Sequence, residues 1–243
     1  MIASVESSGL RFDMFTGEER FLAPNAVLVS GQQDAFLVDC GFVKSDVEQL
    51  LKHVRESRRR VRAIFITHAH PDHYGGVNAF AAAFPEATLL ARQGVIDGML
   101  EWPAKRLHWQ DMFGNELPID LVYPRPLFGK AAYLEDREMI FLDLPVAETV
   151  HATAFYMPSA RALIAGTLGR DRGSQSQRHI EGHSLVGNSG SVHLASGEQG
   201  AMFVACARQG CHIPYVNGAC SSECTCKAEL DESAVVGVDA SAL

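Results

Sequence analysis

Positive charge is scarce in this chain: 21 Lys and Arg face 29 Asp and Glu, a formal net charge of −8 over 243 residues. Broad affinity for nucleic acid or for an anionic membrane surface draws on clustered Lys and Arg, so neither is expected as a partner. Arg58-Arg59-Arg60 is the basic cluster of note. Between an amphipathic helix and a strand it reads as a solvated turn, with a patch for an anionic substrate as the lesser alternative. Long apolar runs are missing too. No segment approaches the about 20 apolar residues that cross a bilayer as a helix. The start of the chain lacks a basic stretch followed by an apolar core, so no secretory signal is read and the expected compartment is the cytoplasm. Cysteine is sparse until late: of six, five fall between Cys206 and Cys226. Without a leader, a disulfide framework is not expected from them.

What remains is an ordinary globular composition, 47% hydrophobic and 21% charged, in a chain long enough for a sizeable core. Its organising stretch is Ile64-Phe65-Ile66-Thr67-His68-Ala69-His70-Pro71-Asp72-His73-Tyr74-Gly75-Gly76. The apolar start reads as the end of a buried strand, which places the histidines on the loop that leaves it. His68 and His70 are two apart, so in extended backbone both imidazoles share a face and can reach one ion. Pro71 holds His70 extended and suits the start of a helix, while Asp72 and His73 open the next turn. Two ligand sets follow: His68 with His70, and Asp72 with His73. A lone histidine is more often a satisfied core or surface residue, and an Asp before a helix is usually a cap. Four such residues within six positions point instead to a metal centre. Imidazoles with one carboxylate suit zinc first, with iron or manganese as alternatives.

The run Thr67-His68-Ala69-His70-Pro71-Asp72-His73 resembles the H-x-H-x-D-H signature of the metallo-β-lactamase superfamily. Upstream, Ala35-Phe36-Leu37-Val38-Asp39-Cys40-Gly41 resembles that family's strand ending in an Asp-x-Gly turn. Downstream, residues 153–158 and 162–166 resemble its later strand pair. The resemblance implies an α/β fold, a four-layer αβ/βα sandwich of the metallo-β-lactamase type. It implies a hydrolase that opens a lactone, ester, thioester or β-lactam bond in a small-molecule substrate, with zinc as cofactor in one or two ions. It also implies a third ligand to the first metal from a later histidine. Counting back from Pro158 puts Glu148 in that place, with His151 three residues on. His151 matches the other ligands better, whereas Glu148 can bind metal or orient a ligand. Most relatives carry a metal-bridging Asp where this chain has Thr167, which points to a single or asymmetric site. His179, His183 and His193 are candidate replacements.

In chain order, residues 10–20 read as an opening strand and turn, and 25–29 with 35–39 as a hairpin. Residues 45–54 form an amphipathic helix with Ser45 as N-cap and His53 solvated on its polar side. Residues 61–67 are the strand that delivers the metal loop, 74–84 a helix, 87–91 a strand and 94–100 a short helix. Trp102, Trp109, Met112 and Phe113, with Pro103 and Pro118, suggest an irregular wall that serves the core more than a ligand. Residues 121–124 and 139–142 are further strands. The division expected is a core domain over 1–168 and an atypical Gly/Ser- and Cys-rich segment over 169–243 that can complete it. Cys220, Cys224 and Cys226 are spaced wrongly for a plant-type iron–sulfur loop, so the competing readings, a redox protein or a degenerate homologue, are weaker than the hydrolase. In the hydrolase reading the ion lowers the pKa of its water to about 7 and polarises the scissile carbonyl. Asp72 is the catalytic candidate, orienting the nucleophile as a metal ligand or as general base. The sequence leaves the oligomeric state open.

Overall fold

The computed structural model describes residues 1–144, 149–167, 178–180, 183–185 and 202–206. Seven strands make the first sheet in sequence order: β1 (Ile2–Ser7), β2 (Leu10–Thr16), β3 (Asn25–Ser30), β4 (Asp34–Val38), β5 (Arg60–Phe65), β6 (Thr88–Ala91) and β7 (Arg125–Pro126). The first four pair antiparallel and β4 to β7 run parallel. Parallel neighbours need crossovers, and these carry α1 (Lys44–Glu56), α2 (Pro71–Tyr74), α3 (Val77–Ala83), α4 (Gln93–Met99) and α5 (Trp102–Phe113). The second sheet is formed by β8 (Ala131–Leu134), β9 (Arg137–Leu144), β10 (Ala152–Met157) and β11 (Ala162–Thr167). Outside it, β12 (Arg178–Ile180) pairs with β13 (His183–Leu185), while β14 (Met202–Cys206) joins the second sheet parallel to β11.

Alternation along the central strands decides the layers. Val27, Val29, Phe36, Val38 and Phe65 face the second sheet, where they meet Phe141, Phe155, Met157 and Ile164. Their sequence neighbours Ala26, Leu28, Leu37 and Ile64 face the helices and pack on Val47, Leu50 and Val54 of α1, on Phe80 and on Trp102. A strand buried on both faces loses the polar alternation of a half-exposed one, and so reads as a continuous apolar run. Burying each of these large side chains contributes about 1.5–3 kcal/mol. The described residues thus supply a helical layer and two packed sheets of the expected sandwich. The expected second helical layer is not seen among the described residues.

Several local expectations need correction. β1 is a strand outside the expectation: its six residues alternate between exposed and half-buried, and Ile2, Ala3 and Val5 do not follow a strict apolar alternation. Ser45 does not cap α1: the N-cap is Val43, and the Ser45 amide donates to Glu116 Oε2 at 3.0 Å. The helix expected over 74–84 is two pieces, α2 and α3, separated at Gly75-Gly76, where the chain passes against the backbone of Phe42 and Cys40. The irregular wall is a 12-residue helix, α5, and Pro103 is no obstacle in its first turn, where the missing amide has no intrahelical partner to lose. Residues 121–124 are not a strand. His53 is not solvated: its side chain is 19% exposed and its Nε2 lies 3.3 Å from the buried carboxylate of Asp13.

Candidate metal centre

The loop after β5 begins at Ile66, whose amide donates to Leu90 of β6. His68 forms an antiparallel bridge with Ala152 at the start of β10, and the Thr153 amide donates to the Thr67 carbonyl at 2.8 Å. The loop is therefore stitched to both sheets at the open end of the sandwich. His68, Asp72 and His73 are buried, and His70 is partly exposed.

Asp39, at the end of β4, organises these side chains from behind. It sits in the left-handed region at φ 64°, where a non-glycine residue is strained and persists only when its surroundings hold it. Its Oδ1 accepts the Thr67 amide at 2.8 Å, and its Oδ2 accepts both the Thr67 hydroxyl at 2.8 Å and His73 Nδ1–H at 2.6 Å. A carboxylate only accepts, so His73 carries its proton on Nδ1. The Thr67 hydroxyl has spent its hydrogen on Asp39 and therefore accepts His68 Nδ1–H at 2.9 Å. One buried carboxylate thus fixes the tautomers of His68 and His73 and turns both Nε2 lone pairs towards the site.

The two expected ligand sets both stand together. His68 Nε2 and His70 Nδ1 are 3.2 Å apart, close to the about 3.3–3.4 Å that two imidazoles at zinc–nitrogen bond length subtend in a tetrahedral shell. His73 Nε2 lies 3.7 Å from Asp72 Oδ2. The rings of His68 and His73 are 4.1 Å apart by centroid, so the pairs are neighbours. Among the described residues, three or more His, Cys, Asp or Glu side chains are not already gathered around one point. The donor chemistry nonetheless fits a zinc-like ion: imidazole nitrogens held in the metal-binding tautomer and one acidic oxygen. Cys40 is buried next to Asp39, and burial, then the Asp39 charge, push its thiol pKa well up.

The remaining candidates stand differently. His151 is exposed at the mouth of the site, next to the bridge partner of His68, with its ring against Gly94 of α4. Glu148 lies outside the described residues. Thr167 ends β11 opposite Cys206, and the backbones of His179 and His183 fall in the β12–β13 hairpin. His193 and the cysteines from 211 to 226 are outside the described residues. Two contributors were not legible beforehand. Thr67 relays Asp39 to His68, and a methyl at Gly166 would stand 2.5 Å from Thr67 Oγ1 and 2.8 Å from His68 Nδ1, so only glycine lets β11 approach the loop. The Asp at a strand end was the visible signal for the first; nothing local marked the second.

Comparison with known proteins bears on the family and the fold. The chain resembles a hydroxyacylglutathione hydrolase of Hahella chejuensis, 45% identical over 56 residues, or 23% of this chain and 20% of that protein. A hydroxyacylglutathione hydrolase of Vibrio parahaemolyticus is 27% identical over 99 residues, 41% of this chain and 39% of that one. The matches thus span well under half the length of these hydrolases. Among solved structures, a metallo-beta-lactamase from Pontibacter korlensis superposes with a TM-score of 0.52 at 17% identity, covering 72% of this chain and 75% of its own, a likeness of fold. Residues 20–225 match the profile of the Metallo-beta-lactamase superfamily, and the chain belongs to that family.

Proposed function

We propose that the protein is a metal-dependent hydrolase that opens an acyl bond of a small molecule, a lactone, ester, thioester or β-lactam. The thioester is the first candidate because the two relatives described above are hydroxyacylglutathione hydrolases. The observation that carries the reading is the pair of ligand sets on one loop, His68 with His70 and Asp72 with His73, backed by the single buried carboxylate of Asp39. Zinc is the preferred ion, with iron or manganese as alternatives. When bound, such an ion supplies an activated water near neutral pH and polarises the scissile carbonyl.

The chain's own residues do the rest. His68 with His70, and Asp72 with His73, hold metal, with the tautomers of His68 and His73 set by Asp39, and His151 or Glu148 adds a further ligand to the first pair. Asp72 orients the attacking water, as a ligand or by taking its proton. Thr167 in place of a bridging carboxylate favours one tightly held ion, because two nearby dications repel and a hydroxyl offsets none of that charge. The segment over 169–243 completes the same domain, a reading that the pairing of β14 with β11 supports.

The test is hydrolysis of a panel holding one thioester, one lactone, one ester and one β-lactam by protein stripped with a chelator, then reloaded with zinc, iron or manganese. Metal-dependent turnover of at least one substrate, lost in Asp72→Ala, is expected. No turnover with any metal contradicts the reading.

A further inference from the structure

Lys105, on the first turns of α5, reaches across to the metal loop. Its ammonium donates to the Ala69 carbonyl at 3.0 Å and to the Gly98 carbonyl at 2.9 Å, and lies 3.3 Å from Glu101 Oε2. An ammonium has three hydrogens, and here each has an acceptor. The Lys105 side chain is 25% exposed while Glu101 is 68% exposed, so the two carbonyl bonds form in the drier part of the contact. Gly98 is in the last turn of α4, where carbonyls lack intrahelical partners and a cation is favoured by the helix dipole. Ala69 is the residue between His68 and His70. A methyl on Gly98 would come 2.6 Å from Ala69 Cβ, so α4 is packed directly on the loop at this point.

We propose that Lys105 is a positioning residue of the metal centre. By holding the Ala69 carbonyl to the end of α4, it fixes the peptide joining His68 to His70 and so sets how closely their nitrogens converge. The carbonyl and the two imidazoles belong to one short run of backbone: if the 69–70 peptide turns, His70 swings relative to His68, which its bridge to Ala152 anchors. Asp39 and Thr67 fix His68 and His73, and Lys105 holds the peptide that leads to His70. The proposal rests on the reading that His68 and His70 hold a metal.

The experiment is chelator competition for zinc on the full chain, with the unaltered protein, Lys105→Met and Lys105→Arg. Methionine keeps the length and apolar stem but donates nothing. Arginine keeps charge and donors in a planar fork. Zinc affinity is expected to fall about 10-fold or more in Lys105→Met, as for other residues that orient ligands, and to recover partly in Lys105→Arg. The ligand-field spectrum of the cobalt(II)-loaded protein should change in Lys105→Met, while far-ultraviolet circular dichroism of the metal-free protein stays as in the parent. If Lys105→Met does not fold, Lys105→Gln, which is shorter and uncharged and keeps two amide hydrogens, takes its place in the same comparison. Unchanged zinc affinity and cobalt spectrum, whatever happens to thermal stability, overturn the proposal for Lys105 and leave the metal reading standing. No zinc binding by the unaltered protein overturns both.

Discussion

Asp39 Oδ2 and His73 Nδ1 lie 2.6 Å apart in a pocket where both side chains are almost wholly buried. The same oxygen accepts the Thr67 hydroxyl, which in turn accepts from His68, so the state of one carboxylate reaches two imidazoles. Asp39→Asn keeps the shape but brings in an amide that must either present hydrogens to groups already donating or turn away. Metal affinity is expected to fall by about 10- to 100-fold. Chelator competition against the parent protein reads it directly.

Gly166 is the point where the second sheet touches this network. With a methyl there, Thr67 and His68 must move, and the crowding of a packed region by one extra carbon costs about 1–3 kcal/mol. Gly166→Ala should therefore lower the denaturation midpoint in urea and weaken metal binding together. An exposed glycine such as Gly129, with open space around its Cα, offers a control, although its φ of 77° carries a strain of its own.

Tyr74 presents the opposite case. Its ring packs edge-on to Trp102, but its buried hydroxyl has no hydrogen-bond partner among the described residues. Burial first, then the charge of Asp72, raise its pKa, so the phenol stays protonated across the neutral range. A buried unsatisfied hydroxyl costs about 1–3 kcal/mol. Tyr74→Phe is expected to leave stability unchanged or raise it, as read by urea unfolding of the metal-free protein.

The fold's outline was legible because its strands are apolar and its punctuation sharp: the hairpin of β3 and β4, α1, and β5 running into the histidines all lie within a few residues of where pattern alone puts them. α5 was not, because its apolar residues split between sides: Trp102, Trp109 and Phe113 pack on the core while Leu107 and Met112 are exposed, and no single apolar stripe emerges. His53 misled for a related reason. Its position on the helix is polar, but β2 places Asp13 beneath it, and a cross-element contact leaves no trace in local periodicity. At the site, the four residues of the loop could be named from spacing, whereas Thr67, Gly166 and Lys105 act through contacts with strands and helices up to about a hundred residues away in sequence.

Asp46 gives the account a pH signature. It is buried in the first turn of α1 and accepts the Glu18 amide, yet burial outweighs that bond and its pKa is raised from the ordinary 3.8. The folded protein therefore holds this proton to higher pH than the unfolded chain does, so stability falls as pH rises from 3.8 through the folded value. Asp46→Asn removes the titration while keeping an acceptor for the amide. The stability of the parent relative to Asp46→Asn should decline across that window, measured by thermal unfolding at stepped pH. A difference that stays flat or grows contradicts the assignment.

The central claim is that the loop after β5 is a metal centre. It is tested most directly by elemental analysis of protein purified in the presence of zinc, beside His68→Ala and His70→Ala, with circular dichroism on each sample. The account predicts about one tightly held zinc in the parent, loss of that zinc in both variants and unchanged secondary structure, since the ligands lie on a loop rather than in the core. Full zinc occupancy in both variants would contradict it.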